Sequence, residues 1–278
     1  MGIFSGLFRK QRKVTDEIPT AQLPRAESSG ITLKVGNLQG IGRREQQEDS
    51  FAIINASNPT EIERKGLFAV VCDGMGGMAD GKSASEDAVG ALCKSFQSLQ
   101  EDEPISNQLA DGIHTISDHI YCCYNGRSGT TAVAAYIHKN TLFWFSVGDS
   151  AIYLKRNSGV FQLNQEQTFL NTLYAEELQQ EIINRQRAET HEDARRLTNF
   201  VGIDHLREPD KNTRPLPLKK GDVILLCSDG ISGVLTPAEL LEAMSLEPDA
   251  GCTLLETLVL EKDVLEQDNY TGIMISCK

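Results

Sequence analysis

No stretch of these 278 residues is long and apolar enough to span a bilayer, so stable membrane insertion is not expected. The opening MGIFSGLFRKQRK has neither the long apolar core nor the small-residue cleavage pattern of a secretory signal. Gly2 stands where a myristoyl acceptor would, but position 6 is Gly6 rather than Ser or Thr. There is no CxxC pair, and no cysteine and histidine spacing resembles a zinc site. The seven cysteines (Cys72, Cys93, Cys122, Cys123, Cys227, Cys252 and Cys277) are odd in number, and Cys72 and Cys227 sit in apolar runs. They read as reduced thiols of a cytoplasmic protein, with the adjacent Cys122 and Cys123 as the weaker candidates for redox sensitivity. A basic surplus is missing too. The net charge of -12 argues against a nucleic-acid binder. It leaves phosphorylated partners open, because a bound divalent metal reverses the local field. Internal repeats and low-complexity tracts are also lacking.

What remains is an ordinary globular composition, 40% hydrophobic and 24% charged, in a chain long enough for one large domain or two small ones. Residues 1–29 hold five basic and three acidic residues with Pro19 and Pro24, and are expected to form a disordered leader. Its IFSGLF next to RKQRK offers at most a weak membrane or partner contact.

From Ile31 the pattern changes. ITLKVGNLQG, SFAIINA (50–56) and GLFAVVCDG (66–74) read as strands. Residues 82–99 place Ala84, Ala88, Ala91, Leu92, Phe96 and Leu99 on one stripe of a helix, and 104–121 predict a second helix. TTAVAAYIHKNTLFWFSVGDSAIYLKR (130–156) predicts three strands with turns at Lys139-Asn140 and Gly148-Asp149, the second turn placing Asp149 in a hairpin. Residues 164–217 are polar and mixed, helical around 175–188, and read as an insertion outside the main core. GDVILLCSDGISG returns to a buried strand and a glycine turn. Helices are expected from Pro237 to about 245 and around Leu254–Leu265, and NYTGIMISCK closes as a strand. Strands follow strands, with long helices after two groups. This excludes the βαβα rhythm of a parallel sheet and predicts layers of antiparallel sheets covered by helices.

The acids fall at the ends of these strands. Glu48 and Asp49 precede one strand, Asp73 ends LFAVVC, Asp149 sits in a turn, Asp229 ends VILLCS and Asp268 precedes the last strand. Any one of them reads equally well as a turn or cap residue. As a set they can meet at one end of a sheet system, where they repel one another unless protonated or neutralised. An all-oxygen set suits Mg²⁺ or Mn²⁺. The glycines after Asp73 and Asp229 permit sharp turns that bring a backbone carbonyl close to an ion. Arg44, a few residues before Glu48-Asp49, has the fork geometry that clamps phosphate oxygens; Arg43 reads as a surface arginine.

GRREQQED (42–49), FAVVCDGMGG (68–77), SGTTAVAA (128–135), VGDSAIY (147–153), LLCSDGISG (225–233) and DNYTGIMI (268–275) together resemble, in order, the motifs of the bacterial type of PPM, or PP2C, metal-dependent serine/threonine phosphatases. The resemblance covers roughly residues 31–278. It implies an α+β fold, a four-layer αββα sandwich of two antiparallel sheets flanked by helices, in a domain spanning 30–278 with a flap over about 164–204. It implies two divalent ions, Mn²⁺ or Mg²⁺. Asp73 would bridge them, the Gly74 carbonyl would reach one, and Asp229 and Asp268 would hold the other. Glu48 would hold water, Asp49 would support the site, Asp149 with Asp229 would form a weaker third site, and Arg44 would bind the phosphoryl group. Asn269 would be a structural companion of Asp268. The implied reaction is single-step, in-line hydrolysis of phosphoserine and phosphothreonine on proteins by a metal-activated hydroxide. The implied partners are phosphoproteins and an opposing serine/threonine kinase, with the phosphatase a monomer. Met75 stands where many eukaryotic members have a histidine, Gln47 where many bacterial ones have Asn, and 176–189 departs from the usual flap pattern. No cysteine has an arginine six residues later, as a cysteine-based phosphatase requires. Two other readings stay open: the same chemistry on a small phosphorylated molecule, and a non-catalytic module that senses a phosphoprotein.

Overall fold

The computed structural model describes residues 30–75, 80–100, 105–181 and 184–278. The expectations for the leader at 1–29, and the last two residues of the FAVVCDGMGG motif, Gly76 and Gly77, lie outside these residues. The chain runs β1 (Leu33–Gly40), β2 (Ser50–Ile54), α1 (Pro59–Lys65), β3 (Leu67–Cys72), α2 (Gly81–Gln97), α3 (Ile105–Tyr124), β4 (Ala132–His138), β5 (Thr141–Val147), β6 (Ala151–Arg156) and β7 (Gly159–Gln162). It continues with α4 (Phe169–Gln179), α5 (Arg185–Glu189), β8 (Asp210–Lys211), β9 (Leu216–Pro217), β10 (Val223–Cys227), α6 (Asp229–Ser232), α7 (Pro237–Ala243), α8 (Pro248–Glu261) and β11 (Tyr270–Cys277).

The strands form two antiparallel sheets. One has the order β1-β11-β10-β6-β7; the other is β2-β3-β4-β5-β8, with β9 also pairing β5. The central strands are apolar on both faces because both faces are covered. In β3, Phe68, Val70 and Cys72 face the layer of α2 and α3, while Leu67, Ala69 and Val71 face the opposite sheet. In β10 the same alternation sends Ile224 and Leu226 between the sheets and Val223, Leu225 and Cys227 toward α7 and α8. Three apolar seams therefore separate four layers, the α+β sandwich expected. Every buried side chain of this size contributes about 1.5–3 kcal/mol.

Helix boundaries follow local chemistry. Thr236 and Glu239 form a reciprocal capping box ahead of α7, with Pro237 in its first turn. Asn58 caps α1 through its side chain, and Pro59 opens it. This helix has no buried residue, hence no apolar stripe by which periodicity would reveal it.

Two expectations are corrected. Gly148-Asp149 is not a hairpin turn: β5 and β6 belong to different sheets, so the chain crosses between layers there. The true two-residue hairpin is Lys139-Asn140, both at positive φ, with His138 paired to Thr141. The stretch 164–217 does not lie wholly outside the core either. Val201 and Leu206 pack in the α2–α3 seam, and Leu216 packs between the sheets, because β8 and β9 complete the edge of β5. Among the described residues no helix is long and apolar enough to cross a membrane.

Candidate active site

Strand register brings the acids together. Ser50 of β2 pairs with Cys72, the last residue of β3, and Ala132 at the start of β4 pairs with Val147 at the end of β5. In the other sheet Cys227 at the end of β10 lies between Ala151 and Gly272, and Gly40 at the end of β1 pairs with Tyr270. Glu48, Asp49, Asp73, Asp149, Asp229, Asp268 and Arg44 all sit just beyond these ends, on one edge of the sandwich.

Hydroxyl and amide side chains hold them there. The Asp73 amide donates to Thr131 Oγ1 at 3.0 Å, its carbonyl accepts from the Thr131 amide at 2.9 Å, and Thr131 Oγ1 lies 2.7 Å from Ser150 Oγ. Ser228 Oγ, at the end of β10, donates to Asp49 Oδ2 at 2.9 Å and accepts from the Thr271 amide at 2.9 Å, tying one sheet to the other. Glycine is required at two turns. A side chain at Gly74 would place a carbon 2.5 Å from the Glu48 carbonyl oxygen, and one at Gly230 would strike the Asn269 carbonyl. Arg44 Nη2 donates to Asp268 Oδ2 at 2.6 Å. Arg43 pairs instead with the exposed Asp263, away from the acids.

The acids crowd one another. Burial pushes Asp49 up to about 6 against the hydrogen bonds of Thr271 and Ser228, and the charges of Asp229 and Asp268 add to the rise. Burial, then Asp229 and Glu166, raise Asp149 to about 7. Asp73, half-buried, is raised well above the usual carboxylate range by desolvation and by Asp49, Asp229, Asp149 and Asp268. Burial and Asp268 raise Asp229, which Asp73 partly relieves through a hydrogen bond. Glu48 is raised by burial and by Asp268 against Arg44. Each of these shifts favours the protonated carboxyl, so the cluster gains from a positive charge placed among its members.

A divalent ion fits this chemistry. The donors are hard oxygens, and Asp49 Oδ1 and Asp229 Oδ1 are buried with no hydrogen-bonding partner. The cage is not closed: among the described residues no three His, Cys, Asp or Glu side chains converge tightly enough to hold an ion.

A cleft of about 330 Å³ opens beside the acids, lined by Arg44, Arg195, Asp229, Gly230, Val234, Val264 and Asp268 among others. Arg195, Ser228, Thr131 and Ser150 were not singled out from the sequence. Ser150 and Ser228 carried a signal, each lying next to a strand-end acid, and Thr131 lies inside the SGTTAVAA motif.

The sequence profile described as Protein phosphatase 2C matches residues 41–259. The chain belongs to this family. As a member it is a protein phosphatase, and the PPM resemblance read from its motifs is confirmed. The "Serine/threonine phosphatase stp" of Listeria innocua is 31% identical over 193 residues, covering 66% of this chain and 74% of that protein. The structure of the S. agalactiae serine/threonine phosphatase superimposes with a TM-score of 0.75 at 24% identity, covering 88% of this chain and 100% of the other. The catalytic domain of the serine threonine protein phosphatase PstP, described in complex with 2 manganese ions, gives 0.68 at 24% identity, covering 89% and 99%. At these identities the two structures show the shared fold.

Proposed function

We propose that this phosphatase hydrolyses phosphoserine and phosphothreonine in proteins, at the acidic edge of the sandwich. The observation that carries this is the meeting of Asp49, Asp73, Asp149, Asp229 and Asp268 beside a cleft that contains Arg44. Listeria and PstP relatives named as serine/threonine phosphatases support the substrate class.

Glu48, Asp49, Asp73, the Gly74 carbonyl, Asp229 and Asp268 are the groups that would hold two divalent ions, Mn²⁺ or Mg²⁺, with a weaker third at Asp149 and Asp229. Manganese in the PstP neighbour supports the pair. Bound there, the ions would offset phosphoryl charge and make a water acidic enough to serve as nucleophile in an in-line, single-step displacement. Arg44 places its guanidinium in the cleft and binds the equatorial phosphoryl oxygens when it lets go of Asp268. Ser228 and Thr131 orient Asp49 and Asp73 from beneath. Burial pushes the Cys72 and Cys227 thiols, at the ends of β3 and β10 beside the acids, far above neutrality, so neither competes as nucleophile.

The cleft wall favours a polypeptide over a small ester. Val234 and Val264 line it, and the adjoining Leu265 is 85% exposed. Phosphoproteins, and the kinase that opposes this enzyme, are the partners this implies. The segment 164–204 is the proposed flap, and residues 30–278 the catalytic domain. Turnover of a phosphothreonine peptide against small phosphate esters, with Mn²⁺, Mg²⁺ or EDTA, tests the reading. Peptide turnover that is absent with metal, or indifferent to EDTA, overturns it.

A further inference from the structure

Arg195 and Arg196 are neighbours in sequence with different fates. Arg196 is committed to its own segment: its Nε lies 3.5 Å from Asp193 Oδ1, and its guanidinium sits 5.0 Å from the centre of the Phe169 ring. Arg195 is exposed, lines the cleft that holds Arg44, Asp229 and Asp268, and makes no hydrogen bond or ion pair among the described residues. Its backbone is fixed on both sides. Leu170 N donates to the Ala194 carbonyl at 2.9 Å, Phe169 N donates to the Arg196 carbonyl at 2.9 Å, and Ala194 is buried. The first turn of α4 thus pins the residues before and after Arg195 and leaves only its side chain free.

A phosphoryl dianion entering this cleft meets Asp229, Glu266 and Asp268. Arg44 already shares its charge with Asp268 at 2.6 Å. Arg195 is the cation not yet spent, and its field reaches Asp229. An arginine kept for structure would be tied down as Arg196 is. We propose that Arg195 is a second substrate-binding guanidinium, which takes the phosphoryl group from the flap side while Arg44 takes it from the β1–β2 loop. This rests on the proposed function, whose phosphoester substrate it shares.

Arg195→Ala, Arg195→Lys and, as control, Arg196→Ala test it in the full-length protein loaded with Mn²⁺. Two readouts are needed: KM and kcat for a phosphothreonine peptide, and binding of inorganic phosphate by calorimetry, which requires no turnover. Loss of one charge-assisted contact should weaken phosphate binding roughly ten-fold or more in Arg195→Ala and raise KM in step. Arg195→Lys should recover part of both, and Mn²⁺ affinity and thermal stability should stay at the parent values. Arg196→Ala should lower thermal stability and leave phosphate affinity closer to the parent than Arg195→Ala does. Parent-like phosphate affinity and KM in Arg195→Ala overturn the proposal. So does a variant that loses only Mn²⁺ affinity, which would make Arg195 a support for Asp229. A parent protein without peptide turnover defeats the proposed function instead, and the phosphate titration still decides Arg195.

Discussion

Asn269 fastens the Glu48 loop to the end of the sandwich that carries Asp268. Its Oδ1 accepts from the Glu48 amide at 2.8 Å, while its Nδ2 donates to the carbonyls of Ile41 at 2.9 Å and Gln46 at 3.0 Å. Its own amide donates to Asp268 Oδ1 at 2.8 Å. One buried carboxamide therefore sets the distance between two candidate ligands and the Arg44 loop between them.

Asn269→Ala strands three backbone groups that this side chain now satisfies. Each unsatisfied buried group costs about 1–3 kcal/mol, so a fall in melting temperature of several degrees is expected. Mn²⁺ affinity should fall with it, because Glu48 is no longer held toward Asp268. Thermal unfolding with and without Mn²⁺ measures both, and an unchanged melting temperature rejects this role.

Arg44→Ala should behave differently. Its ion pair with Asp268 is half exposed, and such pairs are worth about 0–1 kcal/mol, so stability should barely move. Catalytic efficiency should drop on the order of 10–1000-fold if the guanidinium also stabilises the transition state. Steady-state kinetics on a phosphothreonine peptide give the answer; an unchanged kcat/KM removes Arg44 from the phosphate site.

The contrast between these residues shows what could be read in advance. Strand ends are visible in sequence because β3 and β10 are continuous apolar runs that stop at Asp73 and at Ser228-Asp229. The acids there, and the edge they share, were therefore legible. Pairing is not local. Thr141–Arg156 reads as strand, turn, strand whether the second strand folds back on the first or crosses to the other sheet, and only packing chose the crossing at Gly148. The edge strands β8 and β9 are two residues each, too short for alternation to appear. Arg195 and Arg196 are chemically identical, and their separation into a free and a tethered side chain depends on Phe169 and Asp193, set by how 164–204 folds back on itself.

Asp149 gives a pH test of the metal-free protein. Its folded-state pKa, raised to about 7 by burial and then by Asp229, exceeds its unfolded value near 3.9. The folded state then binds the extra proton between these values, so the group's contribution is complete below about pH 4 and is lost as pH rises through 7. Asp149→Asn cannot ionise. In EDTA it should melt above the parent protein at pH 8 and by a clearly smaller margin at pH 5, by differential scanning calorimetry. A gap that is larger at pH 5 reverses the sign and refutes the assignment.

Asp73 is where electrostatics and function are most tightly joined. Its carboxyl is half-buried, raised by desolvation and four neighbouring acids, and hydrogen-bonded to Asp229. The shift favours its neutral form when no cation is bound, and Asp73→Asn mimics that form in shape and charge. The fold in EDTA should be unchanged, with a melting temperature at or above that of the parent near neutral pH. The ion-binding state is different, because the acid must ionise to hold a divalent cation and a carboxamide cannot. Mn²⁺ binding to the parent should therefore release protons and strengthen as pH rises from 6 to 8. Calorimetry in two buffers of different ionisation enthalpy counts those protons, and Asp73→Asn should release fewer and bind far more weakly. Peptide hydrolysis should be nearly abolished, as it should in Asp229→Asn and Asp268→Asn. Asp149→Asn should spare the two tight sites and lose only part of the turnover, since Asp149 would serve the weaker third site. If Asp73→Asn binds two Mn²⁺ as tightly as the parent and hydrolyses phosphopeptide at full rate, the acidic edge of the sandwich is not the metal centre.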